Sequence, residues 1–243
     1  MIDIHCHILP EFDDGASCPE EAIAMAHMAA DSGVSAIVAT PHFPGKASSL
    51  HRIPGMMDRY EWLSQVLQDQ RVPLKIYPGA EILCLPETPA LAARKALPTL
   101  GDSSYLLTEF YFDESFGYMD EMLSELAEYG YTPVVAHPER YHVINTTPIL
   151  LERWMHQGYV LQLNKGSLLG AFGEQIRSTA IGALDAGFAH LIASDGHGAN
   201  RRTPHMGRLR YWLEEAYGEQ YAQILLDRNP ARLVEDKPVI CLK

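Results

Sequence analysis

The chain begins with two histidines whose spacing suits a metal site. Apolar and polar residues alternate through Ile2-Asp3-Ile4-His5-Cys6-His7, as they do in a β-strand. Alternate residues of a strand point the same way, so His5 and His7 would face together while Cys6 packs into the core. Two neutral imidazoles held in this way supply half of a divalent-metal site. Asp13 and Asp14 follow in a turn and add carboxylates.

Further histidines and carboxylates occur where later predicted strands end. Including the first strand, six of the seven predicted strands deliver a His, Asp or Glu at the same end. Chance is a poor explanation for six such placements. The candidate metal ligands are His5, His7, Asp14, His42, Glu81, Glu109, His137, Asp195 and His197.

The donor types and their number indicate several metal ions. Nitrogen and oxygen donors without thiolate suit Mn²⁺, Fe or Zn²⁺. Nine donors are too many for one ion, so two or three ions sharing bridging carboxylates are expected. Such a cluster favours phosphoryl transfer, because adjacent ions can clamp the attacking and leaving oxygens. Arg140 and Arg202 each follow candidate ligands closely, and a guanidinium is a suitable partner for phosphate oxygens.

Charge also favours a phosphate substrate. Four of the candidate ligands are carboxylates, so two divalent ions would leave the site neutral. Three ions would make it positive, which would attract a phosphate dianion even though the chain has a net charge of −12.

The elements that must position these residues are predicted to alternate along the chain. Apolar runs predict seven strands, and helices are expected over about 19–32, 56–70, 119–129, 148–156, 178–186 and 207–226. This alternation predicts an α/β fold with a parallel, barrel-like sheet. In such barrels the reactive groups lie at the carboxyl ends of the strands, where the candidate ligands occur.

Composition narrows the class of protein. A chain of 243 residues with 47% hydrophobic and 21% charged residues can form one α/β barrel. The net charge of −12 disfavours nucleic acid as a partner. No apolar run approaches the roughly 18 residues of a membrane span, so we expect no membrane insertion and a cytoplasmic location. Four scattered cysteines without CxxC spacing argue against a disulfide framework or a zinc ribbon.

These stretches together resemble the PHP (polymerase and histidinol phosphatase) superfamily, and more closely the bacterial manganese-dependent protein-tyrosine phosphatases of capsule and exopolysaccharide loci. The matching stretches run in family order over nearly the whole chain. They are residues 2–10, Asp13-Asp14-Gly15, Thr40-Pro41-His42, Pro78-Gly79-Ala80-Glu81-Ile82, residues 136–141, residues 164–170 and Ser194-Asp195-Gly196-His197.

The resemblance implies a distorted (β/α)7 TIM-like barrel, the PHP fold, as a single phosphatase domain over residues 1–243. It implies a trinuclear manganese centre, with a metal-bridging hydroxide attacking phosphorus and with Arg140 and Arg202 binding the phosphate. One metal would be held by His5, His7, Glu81 and Asp195, the second by Glu81, Glu109 and His137, and the third by Asp14, His42 and His197.

The resemblance also implies a substrate, the phosphotyrosine-containing tail of a bacterial tyrosine kinase that controls polysaccharide synthesis. Two departures bear on this. Phe43 stands where relatives commonly carry another histidine, and residues 46–57, expected at the rim of the site, match no family pattern. The alternatives are a small-molecule phosphomonoesterase such as histidinol phosphatase, and a non-catalytic scaffold that binds a kinase.

Several neighbouring residues have supporting roles or open alternatives. Arg201 competes with Arg202 for the phosphate role, and His205 is either a supporting or a leaving-group residue, or neither. Glu139 is expected to orient Arg140 or a neighbour rather than bind metal, and Asn164 to support the site by hydrogen bonding. Four aromatic residues after the strand that ends in Glu109 form either core or a wall for a phosphotyrosine ring: Tyr111, Phe112, Phe116 and Tyr118. The sequence predicts no oligomeric state.

Overall fold

The computed structural model describes residues 1–242, and its paired β-strands are all parallel. The strands are β1 (Ile2–Cys6), β2 (Ala36–Ala39), β3 (His42–Pro44), β4 (Lys75–Pro78), β5 (Glu81–Leu83), β6 (Tyr105–Glu109), β7 (Thr132–Ala136), β8 (Val160–Asn164) and β9 (Leu191–Ala193). They pair in the orders β1-β2-β4 and β3-β5-β6-β7-β8-β9.

Backbone hydrogen bonds join the segment that follows the last strand, β9, to the first strand, β1. The Asp195 amide donates to the His5 carbonyl at 2.9 Å, and the His7 amide donates to the Gly196 carbonyl at 2.8 Å. Cys6 and Gly196 form a parallel bridge between these segments. The prediction of an α/β fold with parallel strands is confirmed, and the pairing of the segment after β9 with β1 is consistent with a distorted barrel.

Nine strands occur instead of seven. A short strand, β3, follows the second predicted strand (34–40) after Pro41, and the third predicted strand (74–82) is divided between β4 and β5 at Gly79–Ala80. Proline has no amide hydrogen for a sheet ladder, which favours a break at residue 41. Gly79 lies close to the neighbouring strand, since a Cβ there would come within 2.7 Å of Val38 Cγ1. Both breaks come just before a candidate ligand, His42 or Glu81.

Helices connect the strands. They are α1 (Pro19–Asp31), α2 (Ile53–Asp69), α3 (Thr88–Ala93), α4 (Phe116–Glu128), α5 (His142–Thr146), α6 (Leu150–His156), α7 (Lys165–Leu168), α8 (Glu174–Asp185), α9 (Gly207–Tyr217), α10 (Glu219–Gln223) and α11 (Asn229–Val234). Short 3₁₀ segments lie at Ala47–Arg52, Leu100–Asp102 and Pro138–Arg140, and a π-helical turn at Ile224–Arg228.

The prediction of one closing helix over 207–226 is wrong. Gly218, with φ at +87°, separates α9 from α10, and the π-helical turn and α11 follow. A glycine adopts this backbone conformation at little cost, so it ends α9 where helical periodicity alone would continue it.

Two apolar clusters hold the elements together. The smaller contains Ile4, Val38, Leu107, Val134, Val160 and Leu191, one residue from each of six strands. Because every one of these strands contributes, this cluster lies within the ring of strands. The larger cluster includes Leu63 of α2, Leu123 of α4 and Leu184 of α8, which pack onto the strands. Burial of this apolar surface stabilises the frame that presents the strand ends.

Candidate metal centre

The nine predicted ligands meet in one cluster, connected by nitrogen–oxygen distances of 3.8 Å or less. The residues come from the carboxyl ends of the strands and from the loops that follow them. The ring of strands therefore brings together side chains that are up to 192 residues apart in the sequence.

Glu81, at the start of β5, lies at the centre of the cluster and is fully buried. Its Oε2 is 3.3 Å from His5 Nε2, 3.3 Å from His7 Nε2 and 3.0 Å from His42 Nδ1. Its Oε1 is 2.9 Å from Nε2 of His137. One carboxylate thus touches four of the five histidines in the predicted set.

The remaining donors form the more open side of the cluster. His42 Nδ1 is 3.3 Å from Glu109 Oε2, and His42 Nε2 is 3.5 Å from Asp14 Oδ1. His197 Nε2 is also 3.5 Å from Asp14 Oδ1. Three overlapping groups have donor atoms close enough to share an ion: His5, His7 and Glu81; His42, Glu81 and Glu109; and His7, Asp14, His42 and His197. His42 and His7 each belong to two groups, whereas the family pattern gives each of them one metal.

Asp195 links the donors to the two arginines. Its Oδ1 is 3.6 Å from Nε2 of both His5 and His7. Its Oδ2 accepts hydrogen bonds from Arg140 at 3.3 Å, from Arg202 and from the side-chain amide of Asn164. The carboxylate therefore has one oxygen toward the histidines and one toward the cations, and Asn164 has the supporting position expected of it.

Two residues outside the set of candidate ligands, Asp13 and Gln162, orient its histidines. The carboxylate of Asp13 accepts a 2.7 Å hydrogen bond from His7 Nδ1 and another of 2.7 Å from the His42 backbone amide. Gln162 Oε1 is 2.8 Å from His5 Nδ1. Such partners fix the tautomer and the ring orientation of a metal-binding histidine. Gln162 precedes Asn164 by two residues on β8, so strand alternation placed it on the same face.

Two aromatic rings hold the Arg140 guanidinium. The ring centroids of Phe112 and Phe172 lie 4.4 Å and 4.6 Å from its central carbon. Contacts of this kind are attractive and restrict the guanidinium to one position. The two adjacent arginines are both exposed at the edge of a cavity with Asp14 and His197, and Arg202 is the one that contacts Asp195. This favours Arg202 for the phosphate role.

Glu139 supports the backbone beside Arg140. Its buried Oε1 accepts a 2.9 Å hydrogen bond from the backbone amide of Asn164, so Glu139 positions the end of β8. Burial raises the pKa of the Glu139 carboxyl. Of the two expected partners, Glu139 thus contacts a neighbouring residue, Asn164, instead of Arg140.

The four aromatic residues after β6 divide into two pairs. Phe116 stacks on Trp154 at 5.1 Å, and Tyr118 makes an edge contact with Phe110 at 6.5 Å. Tyr111 and Phe112 are instead 55% and 44% exposed. They line a largely apolar groove of about 280 Å³ that also includes His42 and Glu109. An aromatic wall is thus present beside the candidate metal ligands.

Phe43 and the segment after it lie against the site without adding donors. Phe43 is fully buried in the larger apolar cluster, so it occupies core space where relatives commonly have a histidine. Arg52 donates to the carbonyls of His42 and Phe12 at 3.3 Å and 2.9 Å. The segment is therefore tied to the loop that carries Asp13.

Mutual contacts shift the pKa values of the cluster. Burial alone would lower the pKa of His5, but the charges of Glu81 and Asp195 raise it to about 9. Burial likewise opposes the two carboxylates that raise the pKa of His42 to about 11. Burial would raise the pKa of Asp13, yet the His7 hydrogen bond lowers it to about 2. Carboxylates and imidazoles thus stabilise each other's charged forms when they share no cation.

The donor set fits a divalent metal. Glu81 Oε2 is buried and, within residues 1–242, accepts no hydrogen bond, although three imidazole nitrogens lie within 3.3 Å. A buried carboxylate oxygen without a donor is costly in a protein interior. Coordination of a cation by this oxygen and the surrounding nitrogens would remove that cost, and the ligand types suit Mn²⁺, Fe or Zn²⁺.

Comparisons with known proteins agree with the geometry. The family model described as capsular polysaccharide synthesis, CpsB/CapC, matches residues 1–235. The tyrosine-protein phosphatase YwqE of Bacillus subtilis (strain 168) is 35% identical over 227 residues, which cover 93% of this chain and 89% of that protein. The tyrosine-protein phosphatase CpsB of Streptococcus pneumoniae is 29% identical, covering 98% of this chain and 99% of that protein.

Solved structures show the same architecture. A chain from the crystal structures of YwqE from Bacillus subtilis and CpsB from Streptococcus pneumoniae, described as metal-dependent tyrosine phosphatases, matches with a TM-score of 0.90. It is 34% identical, and the match covers 99% of this chain and 97% of that chain. A candidate histidinol phosphatase from Listeria monocytogenes, 12% identical with a TM-score of 0.50, shares the fold.

Proposed function

Because the chain belongs to the capsular polysaccharide synthesis family CpsB/CapC, we propose that it is a metal-dependent protein-tyrosine phosphatase. Its reaction is the hydrolysis of a phosphate monoester, and its physiological setting is the control of capsule or exopolysaccharide synthesis. We take residues 1–243 as one catalytic domain, a division supported by the return of strand pairing from β9 to β1.

The observation that carries this proposal is the position of Asp195 between the histidine cluster and two arginines. Its Oδ1 faces His5 and His7, and its Oδ2 faces Arg140 and Arg202. A phosphate held by both guanidinium groups would therefore lie directly beside the candidate metal ligands. One guanidinium group can bind two phosphate oxygens at once, so the two arginines would also fix the orientation of the ester.

Two or three divalent ions, with Mn²⁺ preferred over Fe or Zn²⁺, would be held by the nine donors. Bound ions would supply Lewis-acid polarisation of the phosphate and a more acidic bound water. The chain itself contributes orientation, because Asp13 and Gln162 fix the rings of His7 and His5. It also contributes positive charge from Arg140 and Arg202, which would stabilise the charge on the transferred phosphoryl group.

The groove beside Glu109 supports an aryl phosphate as substrate. Tyr111 and Phe112 expose ring surface within it, and it opens next to His42 and Glu109. A tyrosine ring packed there gains apolar and aromatic contact that a phosphoserine cannot make. The proposed substrate is the phosphotyrosine-containing tail of a bacterial tyrosine kinase, met in the cytoplasm. Among the described residues, no helix has the length and hydropathy to cross a bilayer.

The decisive experiment compares substrates on the purified, Mn²⁺-loaded protein. We expect kcat/KM for a phosphotyrosyl peptide to exceed that for histidinol phosphate and for the matching phosphoseryl peptide, with activity lost on chelation. Faster turnover of histidinol phosphate would assign the site to a small-molecule phosphomonoesterase. Metal binding without any phosphatase activity would favour the third reading, a kinase-binding scaffold.

A further inference from the structure

A second cavity adjoins Arg202. It has a volume of about 390 Å³ and lies between the segment around α7 and the start of α9. Arg202 lines this cavity and also contacts Asp195, so the cavity is continuous with the proposed phosphate position. Phe172, which holds Arg140, forms another part of its wall.

The charged residues of the cavity wall all have the same sign. Lys165, Arg202 and Arg208 line it together with His205, and none of its described lining residues is acidic. The chain as a whole carries a net charge of −12, so a wall of this sign is a local exception. A local concentration of one charge attracts ligands of the opposite charge even when the molecule as a whole repels them.

Arg208 supplies a charge that no ion pair engages among the described residues, although it also lines a neighbouring cavity with Glu174 and Glu215. Arg202 is paired with Asp195, and the Lys165 ammonium donates to the carbonyls of Thr203 and His205. Within residues 1–242, by contrast, no hydrogen bond or ion pair engages the exposed side chain of Arg208. Its guanidinium retains all of its donors for a ligand.

We propose that this cavity is an anion subsite, which binds an acidic side chain next to the phosphotyrosine of the substrate. The proposal rests on the proposed function, because Arg202 fixes where the reacting phosphate lies. A peptide with its phosphate at Arg202 would place a neighbouring residue in the cavity, where a carboxylate or a second phosphate meets Arg208. The phosphatase would then prefer acidic phosphotyrosyl sequences.

The test uses three phosphotyrosyl peptides that differ only beside the phosphotyrosine, with Glu, Ala or Lys at the flanking positions. The quantity measured is the ratio of kcat/KM for the Glu peptide to that for the Ala peptide. For the native chain we expect a ratio of about three or more, as one partly exposed ion pair would give. Arg208→Gln should bring the ratio to about 1, and Arg208→Glu should reverse the preference in favour of the Lys peptide.

The matched control is Arg94→Gln, which removes the same charge from an exposed position that lines none of the cavities described above. It should leave the ratio at its native value. Equal loss on all three peptides in Arg208→Gln would overturn the anion subsite while leaving the phosphatase assignment intact. Absence of turnover of every phosphotyrosyl peptide by the native chain would instead refute the proposed function. Equal rates of the native chain on the Glu and Ala peptides would also refute the subsite.

Discussion

At the scale of single residues, the site depends on side chains that hold the candidate ligands in place. Asp13 illustrates this, because one carboxylate accepts hydrogen bonds from the His7 ring and from the His42 amide. His42 begins β3 just after the break from β2, and its backbone amide donates to Asp13. Residue 13 therefore determines the orientation of two histidines at once.

Asp13→Asn should weaken metal binding roughly 10- to 100-fold, the usual effect of losing a partner that orients a ligand. The amide oxygen still accepts one hydrogen bond but carries no charge to balance His7. Bound metal per chain, measured across a series of free Mn²⁺ concentrations, checks this. Asp113→Asn is the matched control, since Asp113 is exposed. Native affinity in Asp13→Asn would mean that the histidines need no such support.

His190 predicts a pH dependence of stability that is separate from the metal cluster. It is buried, and its Nδ1 accepts the Leu161 amide. Burial lowers the pKa of His190 to about 4 from an ordinary value of 6.5. His190 therefore binds a proton below about pH 6.5 in the unfolded chain, but only below about pH 4 in the folded chain. Stability from this residue is present above pH 6.5 and is lost as the pH falls.

The free energy of unfolding should accordingly fall by about 2 kcal/mol more between pH 7.5 and pH 5 in the native chain than in His190→Asn. The asparagine oxygen can accept the same amide hydrogen bond without taking up a proton. Urea unfolding at both pH values, with chelator present throughout, measures the difference. Parallel pH dependences in the two proteins would show that His190 does not titrate in this range.

At the scale of elements, the breaks and strained residues at strand ends shape the site. His137, Asp195 and Arg202 have φ values of 35°, 49° and 48°, a backbone region that non-glycine residues seldom adopt. Such conformations cost of order 1–3 kcal/mol each and persist where surrounding contacts enforce them. All three residues lie in the candidate site. The loops there therefore adopt less stable backbone conformations, which place the side chains of the site.

The loop between α7 and α8 acts on Arg140 through Phe172. Gly166 leaves room for that ring, because a Cβ at position 166 would lie 2.7 Å from Phe172 Cε2. Phe172→Leu keeps apolar volume but removes the cation–π contact, which is worth about 0.5–2 kcal/mol. We expect KM for phosphotyrosyl peptides to rise about three- to tenfold with bound metal unchanged.

Phe172→Tyr is the control for that prediction, since it retains the ring face. It should behave as the native chain does in KM and in inhibition by inorganic phosphate. Loss of metal in Phe172→Leu would indicate a structural role for the ring instead. An unchanged KM would show that Phe112 alone suffices to hold Arg140.

The sequence predicted the parallel α/β fold, and it supplied a set of candidate donors from residue types that are recognisable by themselves. Histidines and carboxylates at strand ends are recognisable from spacing alone, and the parallel α/β fold followed from the alternation of patterns. The supporting role of Gln162 was not recognised, because a glutamine in an apolar run has no distinctive spacing. The short strand β3 after Pro41 and the break at Gly79 were not predicted, since they depend on which strand lies opposite. Features of this kind depend on tertiary contacts, which the sequence pattern does not show.

At the scale of the whole molecule, bound metal should stabilise the fold. Ions that bind the folded cluster and not the unfolded chain add about 2.7 kcal/mol at a concentration 100 times the Kd. For a chain of this size that corresponds to roughly 5–10 °C in Tm. Chelation should lower Tm by this amount and Mn²⁺ should restore it, as followed by calorimetry. A metal-free protein with the same Tm would show that the cluster is stable without ions.

The return of strand pairing from β9 to β1 also orders events during biosynthesis. His5 and His7 are synthesised about 190 residues before Asp195 and His197. The segments that carry the two pairs meet at the Cys6–Gly196 bridge. The candidate metal cluster can therefore be completed only after the later segment has been made and has paired with the earlier one.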